Sequence, residues 1–163
     1  MVGNRELYLC SLFWEVFTVK ITTKGRYALR MMIDLAIYKN DGFVSLKDVS
    51  KRQDISMKYL EQIVALLNKA GYLDSARGAH GGYKLNKPAE EYVVGDILRA
   101  VEGPMVPVSC LAGGAEKCGN CANCTTKGFW KGLYEAMQNY VDGVTLQDLA
   151  EEQQTMGNDT YVI

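Results

Sequence analysis

The stretch SLKDVSKRQDISMKYLEQIVALLNKAGYLDSARGAHGGY, residues 45–83, decides the fold. Ser45 followed three residues later by Asp48 is a capping-box pattern that opens a short helix through about Arg52. Asp54-Ile55-Ser56 separates it from a helix that starts near Ser56, carries Leu60, Ile63, Val64 and Leu67 on one face, and ends at Gly71, a residue suited to the left-handed closing position. Its other face presents Lys58, Glu61, Gln62, Ala65 and Lys69. These are the parts of a helix-turn-helix, although an amphipathic pair taken alone more often serves packing. The residues after Gly71 shift the balance. Two short strand candidates, Tyr72 to Arg77 and Tyr83 to Asn86, flank Gly78-Ala79-His80-Gly81-Gly82 and predict a hairpin. Edged by Arg77, His80 and Lys84, it has the layout of a wing that touches a minor groove or flanking phosphates.

Working outward, apolar residues from Ala28 to Ile37 predict a largely buried first helix between Lys24 and Lys39. Val94, Ile97, Leu98 and Val101 predict a helix from Val93 to about Val101, stopped by Gly103-Pro104. A long stripe of Trp130, Leu133, Tyr134, Met137, Tyr140 and Val141 runs from Thr125 to about Val141, as core or as a subunit interface. Thr145 to Asp148 opens a final short helix, and the chain then reads as a polar tail.

The formal net charge of −1 conceals a division. Residues 19–90 carry +6 and residues 91–163 carry −6, so a polyanion is expected on the first half. With 48% hydrophobic and 23% charged residues the chain has ordinary globular composition, which excludes a disordered protein. The apolar stretch within residues 1–19 is interrupted by Ser11 and Glu15, lacks a small-residue cleavage site and is too short to span a bilayer. A cytoplasmic protein without a membrane partner is therefore expected. A single histidine, and the lack of a nucleotide-binding glycine motif after a strand, argue against an enzyme.

Four of the five cysteines, Cys110, Cys118, Cys121 and Cys124, form C-x7-C-x2-C-x2-C, threaded with Gly113, Gly114 and Gly119. Without a secretory signal, metal or redox chemistry is favoured over a disulfide framework. The two C-x2-C steps are similar to the ligand run of bacterial ferredoxin-type clusters, while a tetrahedral zinc site could use the same sulfurs. Cys10, beside Leu9, Phe13 and Trp14, reads as a small hydrophobe.

Four ordered motifs carry a family resemblance: Ile21 to Leu29 (ITTKGRYAL), Ile55 to Gln62 (ISMKYLEQ), Arg77 to Tyr83 (RGAHGGY) and Val94 to Ile97 (VGDI). From about Val19 to Glu152 the chain resembles the winged-helix regulators that include the iron-sulfur cluster regulator IscR, the nitric oxide sensor NsrR and the cysteine metabolism regulator CymR. The resemblance implies a mainly α protein with a small β-hairpin wing, a winged helix-turn-helix head and a long C-terminal dimerisation helix. It also implies a homodimer that reads two half-sites of a pseudo-palindromic promoter. The expected division is an extension over 1–18, the DNA-binding domain over 19–103, the cysteine loop over 104–125, the dimerisation and final helices over 126–152, and a tail over 153–163.

By the same resemblance Tyr59, Glu61 and Gln62 occupy recognition-helix positions and Arg77 the wing position. Gln62 can pair with adenine, Glu61 can accept from a cytosine amino group, and Arg77 suits a narrow minor groove. Lys24, Arg26 and Lys58 would hold phosphates. Ser56, Gly78, His80 and Lys84 complete the candidate set, His80 as a tip residue or phosphate contact. Cluster-binding members place three cysteines in this loop, matched best by Cys110, Cys118 and Cys124. The histidine that follows the third cysteine in IscR is Lys127 here, and the N-terminal aspartate ligand of NsrR falls on Arg26. Cys121 is the candidate replacement ligand, which would make a 4Fe–4S cluster at least as fitting as 2Fe–2S, with Glu116, a partner-subunit residue or an exogenous thiol as the other sources of a fourth ligand. A cluster-controlled regulator is the leading reading; a thiol-disulfide or zinc switch of the same fold, or a ferredoxin-like redox protein, are the alternatives. Because the resemblance begins at Val19, deleting residues 1–18 should leave dimerisation and DNA affinity intact in sizing and gel-shift experiments, and a collapse of either would contradict this boundary.

Overall fold

The structure, a computed structural model, describes residues 21–39, 42–78, 81–112 and 123–158. Residues 1–18 with Cys10, and also His80, Cys118 and Cys121, lie outside the described residues. Helix α1 (Thr23–Ile37) is capped by Thr22, whose Oγ1 accepts the Lys24 N–H at 3.1 Å. Ala28, Met31, Met32 and Leu35 on α1 form the middle of the main core. Helix α2 (Leu46–Gln53) is capped by Ser45: the Asp48 N–H donates to Ser45 Oγ at 3.2 Å, and that hydroxyl donates to Asp48 Oδ2 at 2.7 Å.

Asp54 turns the chain through a left-handed conformation (φ 51°), which aspartate tolerates better than most residues. Helix α3 (Met57–Lys69) buries Leu60, Ile63, Val64 and Leu67, the face read from its periodicity. It ends in a Schellman closure: the N–H of Tyr72 donates to Leu67 O and that of Gly71 to Asn68 O, both at 3.0 Å, with Gly71 at φ 74°.

Strands β1 (Leu73–Ala76) and β2 (Gly82–Leu85) pair antiparallel, Leu73 opposite Leu85 and Ala76 opposite Gly82. A neighbour that the sequence did not announce joins them. Val44 exchanges both backbone bonds with Tyr83 at 2.9 Å, so the chain before α2 acts as a third short strand. Their backbones approach so closely that a Cβ on Gly82 would collide with the Val44 carbonyl. The glycine pair at 81–82 therefore serves packing as well as the turn.

Helices α4 (Val94–Glu102), α5 (Lys127–Asp142) and α6 (Leu146–Asn158) complete the described chain. At the start of α6 the Thr145 N–H donates to Asp148 Oδ2 at 2.8 Å and the Asp148 N–H returns to Thr145 Oγ1 at 3.2 Å. These bonds from Thr145 hold the Asp148 carboxyl below the usual carboxylate range. Leu146 and Ala150 are buried in the α1 core. The expected end of this helix is corrected: residues 153–158, read as the start of the tail, continue α6 to Asn158. Glutamate and glutamine are strong helix formers, and Gln147 Nε2 bonds Glu151 Oε1 one turn on at 2.7 Å, so polarity alone did not mark a boundary. Among the described residues no helix is long and apolar enough to cross a membrane.

Two polar devices lock the head. Asp34, fully buried on α1, accepts from Arg52 Nε at 2.9 Å and Nη2 at 2.5 Å and from Gln53 Nε2 at 3.0 Å. That pairing pushes the Arg52 guanidinium up, and the group stacks 4.1 Å from the centre of the Tyr38 ring. At the other end of α1, Glu102 Oε1 accepts from Thr22 N (2.8 Å), Thr22 Oγ1 (2.7 Å) and Gly25 N (2.7 Å). A Cβ on Gly25 would sit 2.6 Å from that oxygen, which gives the Lys24-Gly25 step its meaning. Arg52→Ala leaves Asp34 buried without its cation and should lower the unfolding free energy by about 3 kcal/mol in urea melts. Adding Asp34→Asn to it should recover part of the loss. An Arg52→Ala protein within about 0.5 kcal/mol of wild type would show that this clamp does not hold the head.

Candidate nucleic-acid interface and cysteine loop

The face of α3 turned away from the core exposes Ser56, Lys58, Glu61, Gln62, Ala65 and Lys69. Ser56 caps the helix, its Oγ accepting the Tyr59 N–H at 3.4 Å. Glu61 and Gln62 form no side-chain hydrogen bond or ion pair among the described residues, so their acceptors and donors remain available on the surface. Tyr59 differs from them. It is half-buried and meets Tyr27 of α1 edge-on, ring centres 5.4 Å apart, so only part of the ring faces outward.

The basic residues of α1 divide in the same way. Arg26 is exposed and held loosely, its Nη2 3.3 Å from Thr23 Oγ1. Lys24 is half-buried and its ammonium donates to the Val101 carbonyl at 3.1 Å, near the C-terminal end of α4. A cation at that end of a helix is favoured by unpaired carbonyls and the helix dipole, and this bond ties Lys24 to α4.

On the wing Arg77 and Gly78 are exposed, while Lys84 is bridged across the sheet to Asp74 Oδ2 at 3.6 Å. The base of the wing is fixed by Tyr92, which is 1% exposed. Its hydroxyl accepts the N–H groups of Asn86 (3.0 Å) and Lys87 (3.3 Å) and has the Tyr72 carbonyl at 2.8 Å and Asn86 Oδ1 at 2.7 Å within reach of its single proton. Burial pushes the phenol up, keeping it the neutral donor that this network needs. The sequence reading missed this anchor. Its signal was a tyrosine in the polar stretch between the wing and α4, with an asparagine six residues before it.

Of the four loop cysteines, Cys110 and Cys124 are described, both partly exposed, at the two ends of the loop. Cys110 sits on the single turn Ser109–Leu111, and Cys124 lies just before α5. Cys124 Sγ is 3.5 Å from Thr126 Oγ1; that contact, with the backbone N–H groups of Thr126 and Lys127, lowers the thiol from its ordinary value. Among the described residues no group of metal-binding side chains converges.

The loop leaves α4 at Gly103 and runs through Met105 and Val106, which are buried. Gln138 of α5 donates from Nε2 to the Met105 carbonyl at 3.2 Å and accepts at Oε1 from Arg99 Nη1 of α4 at 2.6 Å. Arg99 also holds Asp96 (2.8 Å) and Asp142 (2.6 Å) through Nη2, so one guanidinium joins α4, α5 and the root of the loop. Beyond that joint α5 buries Val141 alone; Phe129, Leu133 and Tyr140 are exposed and Trp130, Tyr134 and Met137 half-buried.

Residues 21–152 match the model of Rrf2, described as an iron-dependent transcriptional regulator. The chain belongs to the Rrf2 family. It is 41% identical over 134 residues to the protein rrf2 of Nitratidesulfovibrio vulgaris Hildenborough, covering 82% of this chain and 89% of that one. It is 38% identical over 138 residues to the regulator IscR of Serratia proteamaculans, covering 85% and 83%. The fold matches CymR, the global cysteine regulator of B. subtilis, with a TM-score of 0.69 at 38% identity over 83% of this chain and 98% of that one. It also matches IscR of T. potens with a TM-score of 0.67 at 36% identity over 82% and 88%. This Rrf2 protein is thus a winged-helix transcriptional regulator of the DNA-binding kind, and its relatives are regulators rather than enzymes.

Arg77 and Lys24 should then give separate signatures. Arg77→Ala should weaken specific DNA binding by about 1–3 kcal/mol and relax base preference near the wing. Lys24→Ala should lower the unfolding free energy by about 0.5–1 kcal/mol and leave the salt dependence of DNA affinity unchanged. Anisotropy titrations at several salt concentrations check both; a shallower salt slope for Lys24→Ala would return that lysine to the phosphate-binding set.

Proposed function

We propose that this Rrf2 protein is a homodimer whose promoter binding is controlled by an iron-sulfur cluster held in the cysteine loop. The observation that carries the reading is the ligand set itself: Cys110, Cys118, Cys121 and Cys124 supply four thiolates within fifteen residues. The chemistry of the described donors fits. Cys124 is favoured as thiolate by its hydrogen bonds at the start of α5, and Cys110 stands partly exposed at the opposite end of the loop. Cys121 takes the place that the histidine or aspartate ligand fills in the cluster-binding regulators that the sequence resembles. The cluster, when bound, supplies a redox-active centre whose integrity depends on iron, sulfide and oxidants.

The chain's own residues do the rest. Met105 and Val106 anchor the loop in an apolar site, and Gln138 and Arg99 tie its root to α4 and α5, so a change in the fold of the loop bears on the angle between these helices. The exposed Phe129, Leu133 and Tyr140 suit a second copy of α5, and two heads fixed to paired α5 helices would read two half-sites. Glu61, Gln62 and Arg77 would face base edges, and Arg26 and Lys58 phosphates. Shifting the dimer between two spacings of its heads is then enough to change promoter affinity.

A thiol switch on the same cysteines is the second reading, favoured by the lowered Cys124 thiol and the likeness to the cysteine regulator CymR. Visible and Mössbauer spectra of protein purified without oxygen separate the two. Single alanine substitutions at Cys110, Cys118, Cys121 or Cys124 should lose or strongly destabilise the colour, while His80→Ala and Cys10→Ala leave it alone. A colourless wild type, with zinc or with free thiols, would overturn the cluster reading. A stable coloured Cys121→Ala protein would overturn the fourth ligand only.

A further inference from the structure

A cavity of about 240 Å³ opens between the end of α1, the wing strand β2 and the single turn Ala89–Glu91. Three lysines line it, Lys39, Lys84 and Lys87, against the apolar Leu85, Pro88 and Ala89. Tyr83 and Leu85 pack against the core that α3 shares, so strand alternation sets Lys84 on the outer face of the sheet, away from the recognition helix. There the Lys84 ammonium lies 5.0 Å from the centre of the Phe43 ring, and that of Lys87 lies 4.7 Å from the centre of the Tyr92 ring. Aromatic faces orient an ammonium while leaving most of its N–H donors free. Lys39 has no partner among the described residues. The ion pair to Asp74, at 3.6 Å and half-exposed, is the one anionic contact the three lysines make among the described residues, and Glu90 and Glu91 do not line the cavity.

Among the described residues, three lysines thus gather around a concave, partly apolar space and make one weak anionic contact. Each ammonium in such a place repels the others, which costs stability unless an anion joins them. We propose that this cavity binds a small polyanion, a molecule with two or more phosphate or carboxylate groups on a short carbon skeleton. The lysines take the charged groups as point donors, and the exposed Pro88 covers the carbon atoms. The volume is below the range usual for drug-sized ligands and suits a small metabolite. Its walls are β2 and the turn after it, so the ligand bears on the base of the wing without touching α3. No described residue of the cysteine loop lines it.

Isothermal titration calorimetry on the full chain, purified without oxygen and at fixed ionic strength, tests this with 3-phosphoglycerate and succinate as probes and acetate as the single-charge control. Saturable binding of either probe, with none for acetate, is the expected result; binding of succinate shows that carboxylates suffice, and binding of 3-phosphoglycerate alone shows that the phosphate is needed. The Lys39→Gln/Lys87→Gln protein should bind the same probe at least roughly tenfold more weakly, with its melting temperature in plain buffer little changed. Lack of saturable binding to both probes, or equal binding by the double variant, overturns the proposal. So does a shallower salt slope for DNA affinity in the double variant, which would make these lysines contacts to the DNA backbone instead.

Discussion

One carboxylate oxygen, Glu102 Oε1, holds the N-terminus of α1 by accepting from two backbone N–H groups and one hydroxyl. The free N–H groups at a helix start attract negative charge, and the end of α4 delivers it. The exchange is mutual, since Lys24 near the start of α1 donates to Val101 near the end of α4. Two helices remote in sequence are thus joined at their termini by opposite charges, each satisfying the other's unpaired backbone groups. Everything else in the head is referred to α1: α2 through the buried Asp34, α3 through the apolar core, and α6 through Leu146 and Ala150.

That joint also places the loop. Gly103 follows Glu102 directly, so the chain that leads to the cysteines departs from the residue that caps the reading head. On its return, α5 is tied to the same helix by Arg99 and to the loop root by Gln138. Under the proposed function, a change in the loop would reach α4 and α5 through these few directional bonds. The Tyr92 anchor is the counterpart on the other side, fixing the wing to the end of α3.

The helix-turn-helix and the wing were legible because their signals are local: Ser45 with Asp48, the period of Leu60, Ile63, Val64 and Leu67, and Gly71. Each has a single short-range physical cause, and the structure repeats it within a residue or two. The clamps were not legible, because each depends on two residues far apart in the chain. Asp34 was hidden among apolar neighbours on a helix apolar on adjoining faces; an acidic residue in such a place was itself the signal for a buried cation from α2. Lys24 and Arg26 look alike as a sequence, and only the position of the Val101 carbonyl tells them apart. Polarity beyond Glu152 suggested a tail, but the residues there favour a helix by intrinsic propensity.

Control of DNA binding by a cluster in the cysteine loop, as proposed, is decided by anaerobic anisotropy titrations of one labelled operator, selected by the protein from random duplexes, with cluster-loaded protein and with the same preparation stripped by a chelator. The two forms should differ in affinity for that operator by about 5- to 150-fold while binding non-specific DNA alike. Equal operator affinity for the loaded and stripped forms would contradict the claim.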